Sequence, residues 1–378
     1  MAARYADIEP FPDLFFLNGQ QLRSSDHALL DKIAEQGSPL AQEVIAFLRE
    51  WWSDSPEINL TTSGSTGQPK KITVSRESMM ASARLSLRTF GLKEGMKALL
   101  CLSPNFIAGK MMIVRAMVGK LELITTQTSA DPLEGLSQRV DFAAMVPFQL
   151  SHTIAKKPET LDLISKLIIG GSAVDNQLVQ AIQTLSTQII HTYGMTETLS
   201  HIAIRQLNGE GASESFWPLE GIRIKTDSRN CLVAEVPFLK AKTIATNDLI
   251  ELMPDGSFRV LGRADDVIIT AGNKIHPLCV EEKLSSFVNA TIFIGSIPDS
   301  TAGALPVLVV EGRLDAGKLM QLWLQMEQVL VAREMPRYIF FTEEIPMLAS
   351  GKVNRRQLND WLVQKMNHEV LKPFAELH

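Results

Sequence analysis

Between about residues 70 and 200, short apolar runs alternate with longer stretches of helical spacing. Strand-like runs occupy 98–102, 121–125, 142–146, 166–170 and 188–192, and helix-like stretches occupy 109–118, 148–155 and 175–185. This alternation predicts βαβ units around a mostly parallel sheet. From about 215 to 262 the pattern turns β-rich, with strands at 222–225 and 231–236 and a turn at Asp255-Gly256 between two more, which predicts a small β subdomain. Beyond Arg263 the chain reads as helix 277–287, strands 291–295 and 307–310, amphipathic helix 315–333 and strand 338–341. The expected class is α/β: a large N-terminal domain (1–262) with mainly parallel sheets plus a small β subdomain, and a smaller mobile α+β C-terminal domain (263–378). The paired methionines Met79-Met80 and Met111-Met112 read as core filling.

Composition narrows the partners. With 378 residues and 45% hydrophobic content the chain has the profile of a folded globular protein. A net charge of -5 with no sustained basic run argues against nucleic acid. No stretch approaches the 18 or so apolar residues of a membrane span, and the acidic start (Asp7, Glu9, Asp13) is unlike a secretion signal. The three cysteines are far apart, so a disulfide framework is not expected and a cytoplasmic setting is. Scattered histidines without zinc spacing leave a hard, oxygen-bound ion as the expected metal. The sequence does not fix the oligomeric state, and a homodimer is compatible with it.

Three motifs carry candidate chemistry. Thr61-Thr62-Ser63-Gly64-Ser65-Thr66-Gly67-Gln68-Pro69-Lys70-Lys71 combines glycines that let backbone N–H groups approach anionic oxygens, hydroxyl donors and two ammonium groups. Its spacing is not that of a P-loop, and the run Ile72-Thr73-Val74 after it predicts a phosphate-holding loop between strands. His191-Thr192-Tyr193-Gly194-Met195-Thr196-Glu197-Thr198 follows a parallel strand, where open α/β sheets bind ligands. There Tyr193 offers a flat face to a purine, Thr196 a hydroxyl to phosphate, and Glu197 a carboxylate to Mg²⁺. The third motif joins Thr246-Asn247-Asp248 to Gly262-Arg263-Ala264-Asp265-Asp266, an aspartate for both ribose hydroxyls with a nearby arginine.

In this order, and with Ser350-Gly351-Lys352 as a fourth feature, the motifs resemble the adenylate-forming ligase superfamily of acyl- and aryl-CoA synthetases, peptide-synthetase adenylation domains and luciferases. The resemblance implies that 1–262 binds AMP and the acyl group while 263–378 is a lid carrying Lys352. It implies ATP and Mg²⁺ held by Ser63, Gly64, Ser65, Thr66, Gly67, Lys70, Thr196 and Glu197. Gly171, Ser172, Tyr193, Gly194, Asp248 and Arg263 would bind the nucleoside. Lys352 would bridge the substrate carboxylate and α-phosphate, with Asp265 as hinge and the Gly272 loop replacing Lys352 when coenzyme A attacks. Lys71 and Asn247 stand where the family usually has glycine, and only about sixty residues precede the loop, which predicts a reduced N-terminal subdomain.

Within the superfamily, the segments 193–201, 107–112 and 146–150 are most similar to o-succinylbenzoate-CoA ligases of menaquinone synthesis. The implied reaction joins a small carboxylic acid to coenzyme A with ATP. Lys110, Arg115 and His201 are then candidates for the acid's second carboxylate. Another aryl or acyl acid, a carrier-protein thiol acceptor, and a non-catalytic nucleotide-binding protein are the alternatives.

Overall fold

The computed structural model describes residues 11–62, 70–288, 290–346 and 353–368. A hairpin of β1 (Leu14–Leu17) and β2 (Gln20–Arg23) precedes helices α1 (His27–Gln36) and α2 (Pro39–Trp51). A second hairpin, β3 (Glu57–Thr62) and β4 (Lys70–Ser75), pairs antiparallel up to Thr62–Lys70. The glycine-rich segment is thus flanked by paired strands, as its spacing predicted. Residues 63–69 themselves lie outside the described residues.

After α3 (Arg76–Phe90) come β5 (Lys97–Leu100), α4 (Ile107–Gly119), β6 (Glu122–Thr125), β7 (Val140–Met145), α5 (Pro147–Lys156), β8 (Ile164–Ile169), α6 (Asn176–Ala181) and β9 (Gln188–Gly194), then β10 (His201–Gln206) and β11 (Trp217–Pro218). They build a nine-stranded sheet in the order β11-β10-β9-β8-β7-β5-β6-β1-β2. From β9 to β1 every pairing is parallel, and β2, β10 and β11 are antiparallel additions at the edges. The two-residue period of a strand sends neighbours to opposite faces. Leu100, Ala144, Ile168 and Ile190 therefore join one core with α2, α3 and α4, while Leu99, Ala143, Ile169 and Ile189 join another with α5 and α6. All four paired methionines are buried in the first core.

A four-stranded antiparallel sheet follows: β12 (Arg223–Thr226), β13 (Cys231–Glu235), β14 (Thr243–Leu252) and β15 (Phe258–Arg263). Gly256 takes φ 88° in the Asp255-Gly256 turn, a left-handed conformation that glycine adopts without a Cβ clash. A one-turn helix at Ala264–Asp266 then leads into the last unit. Its five-stranded sheet comprises β16 (Ile268–Thr270), β17 (Asn273–Ile275), β18 (Ile292–Asp299), β19 (Gly303–Glu311) and β20 (Tyr338–Thr342). It packs with α7 (Pro277–Ser285), α8 (Ala316–Val329) and α9 (Arg355–His368) through its own two cores. The two units meet where Asn176 Nδ2 donates to the Glu282 carbonyl at 2.8 Å and Gln177 Nε2 to the Ser285 and Val288 carbonyls at 2.8 and 2.6 Å. Side chains of α6 thereby satisfy the Glu282 and Ser285 carbonyls in the last turn of α7, and that of Val288 just beyond it.

Helices α6, α7 and α8 are shorter than the 175–185, 277–287 and 315–333 that their patterns predicted. α6 stops at Ala181, and beyond it Asn208 Nδ2 takes the carbonyls of Ile182, Leu185 and Thr187 at 3.3, 3.4 and 2.9 Å. The expectation that the chain is reduced before the glycine-rich loop left β1, β2, α1 and α2 unread. Among the described residues no helix is long and apolar enough to cross a membrane.

Candidate active site

The carboxyl ends of β5, β7, β8 and β9 open into a cleft of roughly 2640 Å³, closed on its far side by β14, β15 and α7. It is the crevice in which open α/β sheets accept ligands. Gly171, Ser172, Tyr193, Gly194, Thr196, Glu197, Asp248, Arg263, Asp265, Arg115 and His201 all line it.

One wall is a closed chain of hydrogen bonds. The Tyr193 hydroxyl donates to Asp248 Oδ2 at 2.6 Å, and Arg263 Nη1 donates to Asp248 Oδ1 at 3.2 Å. Arg263 Nη2 reaches Asp265 at 2.9 Å, and Asn247 Nδ2 donates to both oxygens of Asp265 at 3.3 and 3.2 Å. A glycine at 247 could not make that last contact. Burial, then the Asp248 charge, holds the Tyr193 phenol well above its ordinary pKa, so it stays a donor. Below this wall His191 Nε2 lies 3.2 Å from the Ser172 carbonyl, and its Nδ1 accepts from Arg205 Nε at 3.2 Å. A carbonyl can only accept, so the proton sits on Nε2 and the ring is neutral. Burial and the Arg205 charge agree with this, pushing its pKa down to about 3.

The opposite wall is different. Arg115 is 3% exposed, and burial pushes its guanidinium down to about 10. It donates to Ser200 Oγ at 2.5 Å and to Met112 Sδ at 3.3 Å, and its Nε has no partner. Among the described residues no carboxylate forms an ion pair with it. His201 lies beside it, with Nδ1 3.1 Å from Ser200 Oγ and Nε2 2.9 Å from Ser86 Oγ. Burial, then the Arg115 charge, drives the His201 pKa well below its usual value.

Between the walls Thr196–Thr198 forms a one-turn helix, closed by Leu199 at φ 65°, a strained value for a residue with a Cβ. Such strain costs about 1–3 kcal/mol and persists only where surroundings enforce it; here the Leu199 side chain is completely buried. Gly194 is required by the same turn, since a Cβ there would press on the Ser200 backbone and lie 2.6 Å from His201 Cα. The turn leaves Glu197 exposed, with no hydrogen bond or ion pair among the described residues.

Some expected residues lie elsewhere. Lys110 does not line the cleft, which corrects its assignment beside Arg115. Its ammonium sits 3.3 Å from Glu50 and 4.5 Å over the Phe47 ring, against α2. Five positions along a helix rotate a side chain by about 140°, so Lys110 and Arg115 face different ways. Gly272 occupies the turn between β16 and β17 at φ 78° and is not on the cleft wall. Ser63, Gly64, Ser65, Thr66, Gly67 and Lys352 lie outside the described residues, and Lys70 is described only as the first residue of β4. Sequence reasoning missed Ser200, Arg205 and Glu282. The last two share the cleft, where burial lowers the arginine pKa and Glu282 opposes that shift. Arg205 lies on β10 beyond the register irregularity between His201 and Ala203, so the two-residue strand period from His201 gave no reliable signal for it.

The AMP-binding enzyme family model matches residues 23–230. A 2-succinylbenzoate–CoA ligase of Lactococcus lactis is 26% identical over 324 residues, spanning 79% of this chain and 70% of that protein. Among solved structures, an acyl-CoA synthetase (AMP-forming)/AMP-acid ligase II-like protein from Dyadobacter fermentans is 33% identical with a TM-score of 0.59, covering 89% of this chain and 98% of that one. The o-succinylbenzoate coenzyme A synthetase of Bacillus subtilis, solved with ATP and magnesium, shares the fold at 22% identity and TM-score 0.68, over 80% and 69% of the two chains. The matched family region contains Arg115, Gly171, Tyr193 and Glu197, the residues around which the cleft is built, and on these grounds the chain belongs to the AMP-binding enzymes.

Proposed function

We propose that this protein is a cytoplasmic, AMP-forming acid–CoA ligase whose acid is o-succinylbenzoate, as in menaquinone biosynthesis. The observation that carries the choice of acid is Arg115, a buried guanidinium on the cleft wall with unused N–H donors and no carboxylate partner among the described residues. An acid that keeps a second carboxylate after the first is activated supplies the missing charge. The curated relatives named for this substrate support the same choice.

In the first step a carboxylate oxygen attacks the α-phosphorus of ATP, and the bond to pyrophosphate breaks. In the second the coenzyme A thiolate attacks the acyl carbon, and AMP leaves with the carboxyl oxygen. Both steps bring anions together, so the residues' work is electrostatic and positional. Asp248 accepts the ribose hydroxyls, Tyr193 and Arg263 hold that carboxylate still, and Gly171 and Ser172 border the base. Thr196 donates to the α-phosphate. Glu197, exposed and without a partner among the described residues, fits Mg²⁺, which is commonly held by one or two carboxylates together with phosphate oxygens and would neutralise phosphate charge. The parts assigned to Lys352 and to the loop with Ser63, Ser65, Thr66 and Lys70 rest on the resemblance. So do the division into 1–262 and 263–378 and a swivel at Asp265 that brings the Gly272 loop in.

Purified protein incubated with ATP, Mg²⁺, coenzyme A and o-succinylbenzoate is expected to yield AMP and a thioester in equal amounts. Pyrophosphate exchange across a panel of aryl and acyl acids, showing a different acid preferred by tenfold or more, would refute the substrate.

A further inference from the structure

Ser200 and His201 are consecutive, yet both turn toward the buried guanidinium, because the strained turn at Leu199 and an irregularity in the β10 register re-aim the chain there. Their hydrogen bonds form one line: Arg115 Nη2 to Ser200 Oγ, Ser200 Oγ to His201 Nδ1 at 3.1 Å, and His201 Nε2 to Ser86 Oγ at 2.9 Å. Arginine can only donate, so Ser200 Oγ accepts from it. That charge-assisted bond polarises the hydroxyl and turns its own proton away from the cation. The acceptor in reach is His201 Nδ1. A neutral ring that accepts at Nδ1 carries its proton on Nε2, where Ser86 Oγ receives it. Both imidazole nitrogens are therefore engaged, and His201 has no free donor for a substrate carboxylate.

We propose that Ser200 and His201 are positioning residues, a directional hydrogen-bond chain that runs from Arg115 to Ser86 and fixes where the guanidinium meets the acid's remote carboxylate. This rests on the assignment of Arg115 to that carboxylate, and it removes His201 from the substrate ligands. Ser200 is the junction. Without its hydroxyl the cation keeps only the thioether of Met112 among its described partners.

Two measurements test the chain. The Ser200→Ala variant is expected to raise KM for o-succinylbenzoate about tenfold, the effect of losing one charge-assisted hydrogen bond, with KM for ATP unchanged and Ser200→Thr restoring the wild-type value. An unchanged acid KM, or an equal rise in both KM values, overturns the proposal. Independently, long-range ¹H–¹⁵N correlation of histidine-labelled protein, with His201→Gln used to assign the ring, is expected to show His201 protonated on Nε2. A proton on Nδ1 overturns the chain. This second measurement needs neither substrate nor variant activity, so it decides the chain even if Ser200→Ala does not fold. Failure of the wild type to use any acid with two carboxylates would instead count against the proposed function.

Discussion

Asp248 and Arg115 line the same cleft in unlike company. The carboxylate receives a hydrogen bond on each oxygen, from Tyr193 and from Arg263, whereas the guanidinium has one hydroxyl, one thioether and an Nε without a partner. On the proposed assignments, a ligand at the first wall would add to a network that is complete without it, whereas the acid's remote carboxylate would complete the network at the second. Removing the charged group should therefore have opposite structural consequences at the two places, although both removals harm turnover.

The largest effect is expected at Arg115. Arg115→Met should lower kcat/KM for o-succinylbenzoate by 10²–10³, since truncating one partner of a buried charge pair costs about 2–5 kcal/mol. Thermal unfolding of this variant should nevertheless occur at the same temperature or higher, because an unpaired buried cation has been replaced by an apolar chain of similar length. Activity within threefold of wild type would remove Arg115 from the acid site and erase the contrast between the walls.

Asp248→Asn comes next. It is expected to raise KM for ATP about 10–30-fold, or about 1.4–2 kcal/mol by the tenfold rule. In contrast to Arg115→Met it should also unfold at a lower temperature, because an amide cannot accept at both atoms and one of the Tyr193 and Arg263 donors loses its acceptor. Calorimetry of the two variants side by side sharpens the comparison: one melting temperature falls and the other does not.

The smallest effect is a pH dependence shared by both walls, since each has a buried neutral histidine. Burial lowers the folded pKa of His191 to about 3 and that of His201 well below the usual value, so the unfolded chain binds protons the folded chain refuses. Their contribution is complete above the unfolded value of about 6.5 and is lost as pH falls toward the folded values. By pH 5.5 each should have cost about 1 kcal/mol of stability. Urea titrations at pH 7.5 and 5.5 are expected to show this loss, and His191→Gln should shrink it by about half. A variant that keeps the full loss would mean that His191 does not stay neutral in the fold.

Much of this arrangement was legible because the chemistry is local. Alternating runs gave the parallel sheet, and the motifs around Tyr193, Asp248 and Arg263 meet in one cleft as their residue types suggested. The choice between Lys110 and Arg115 was not legible. α4 buries Gly109 and every residue from Met111 to Met117, so it has no polar stripe to show which cation faces the cleft. The length of α6 was hidden for another reason: the segment after Ala181 is held by Asn208, more than twenty residues downstream, which takes the carbonyls of Ile182, Leu185 and Thr187. The leading hairpin was also unreadable locally, because β1 joins the sheet by parallel pairing with β6, about a hundred residues downstream.

The clamp on Asp248 has a further consequence for sugar selection. A carboxylate offers about four lone-pair sites, and the protein occupies one on each oxygen. The remaining two match a vicinal diol, and because the group cannot rotate to hide an unmet site, a deoxynucleotide would leave an acceptor stranded. On the proposed ribose assignment of Asp248, discrimination between ribose and deoxyribose would thus be built in by a phenol and a guanidinium that need never touch the sugar.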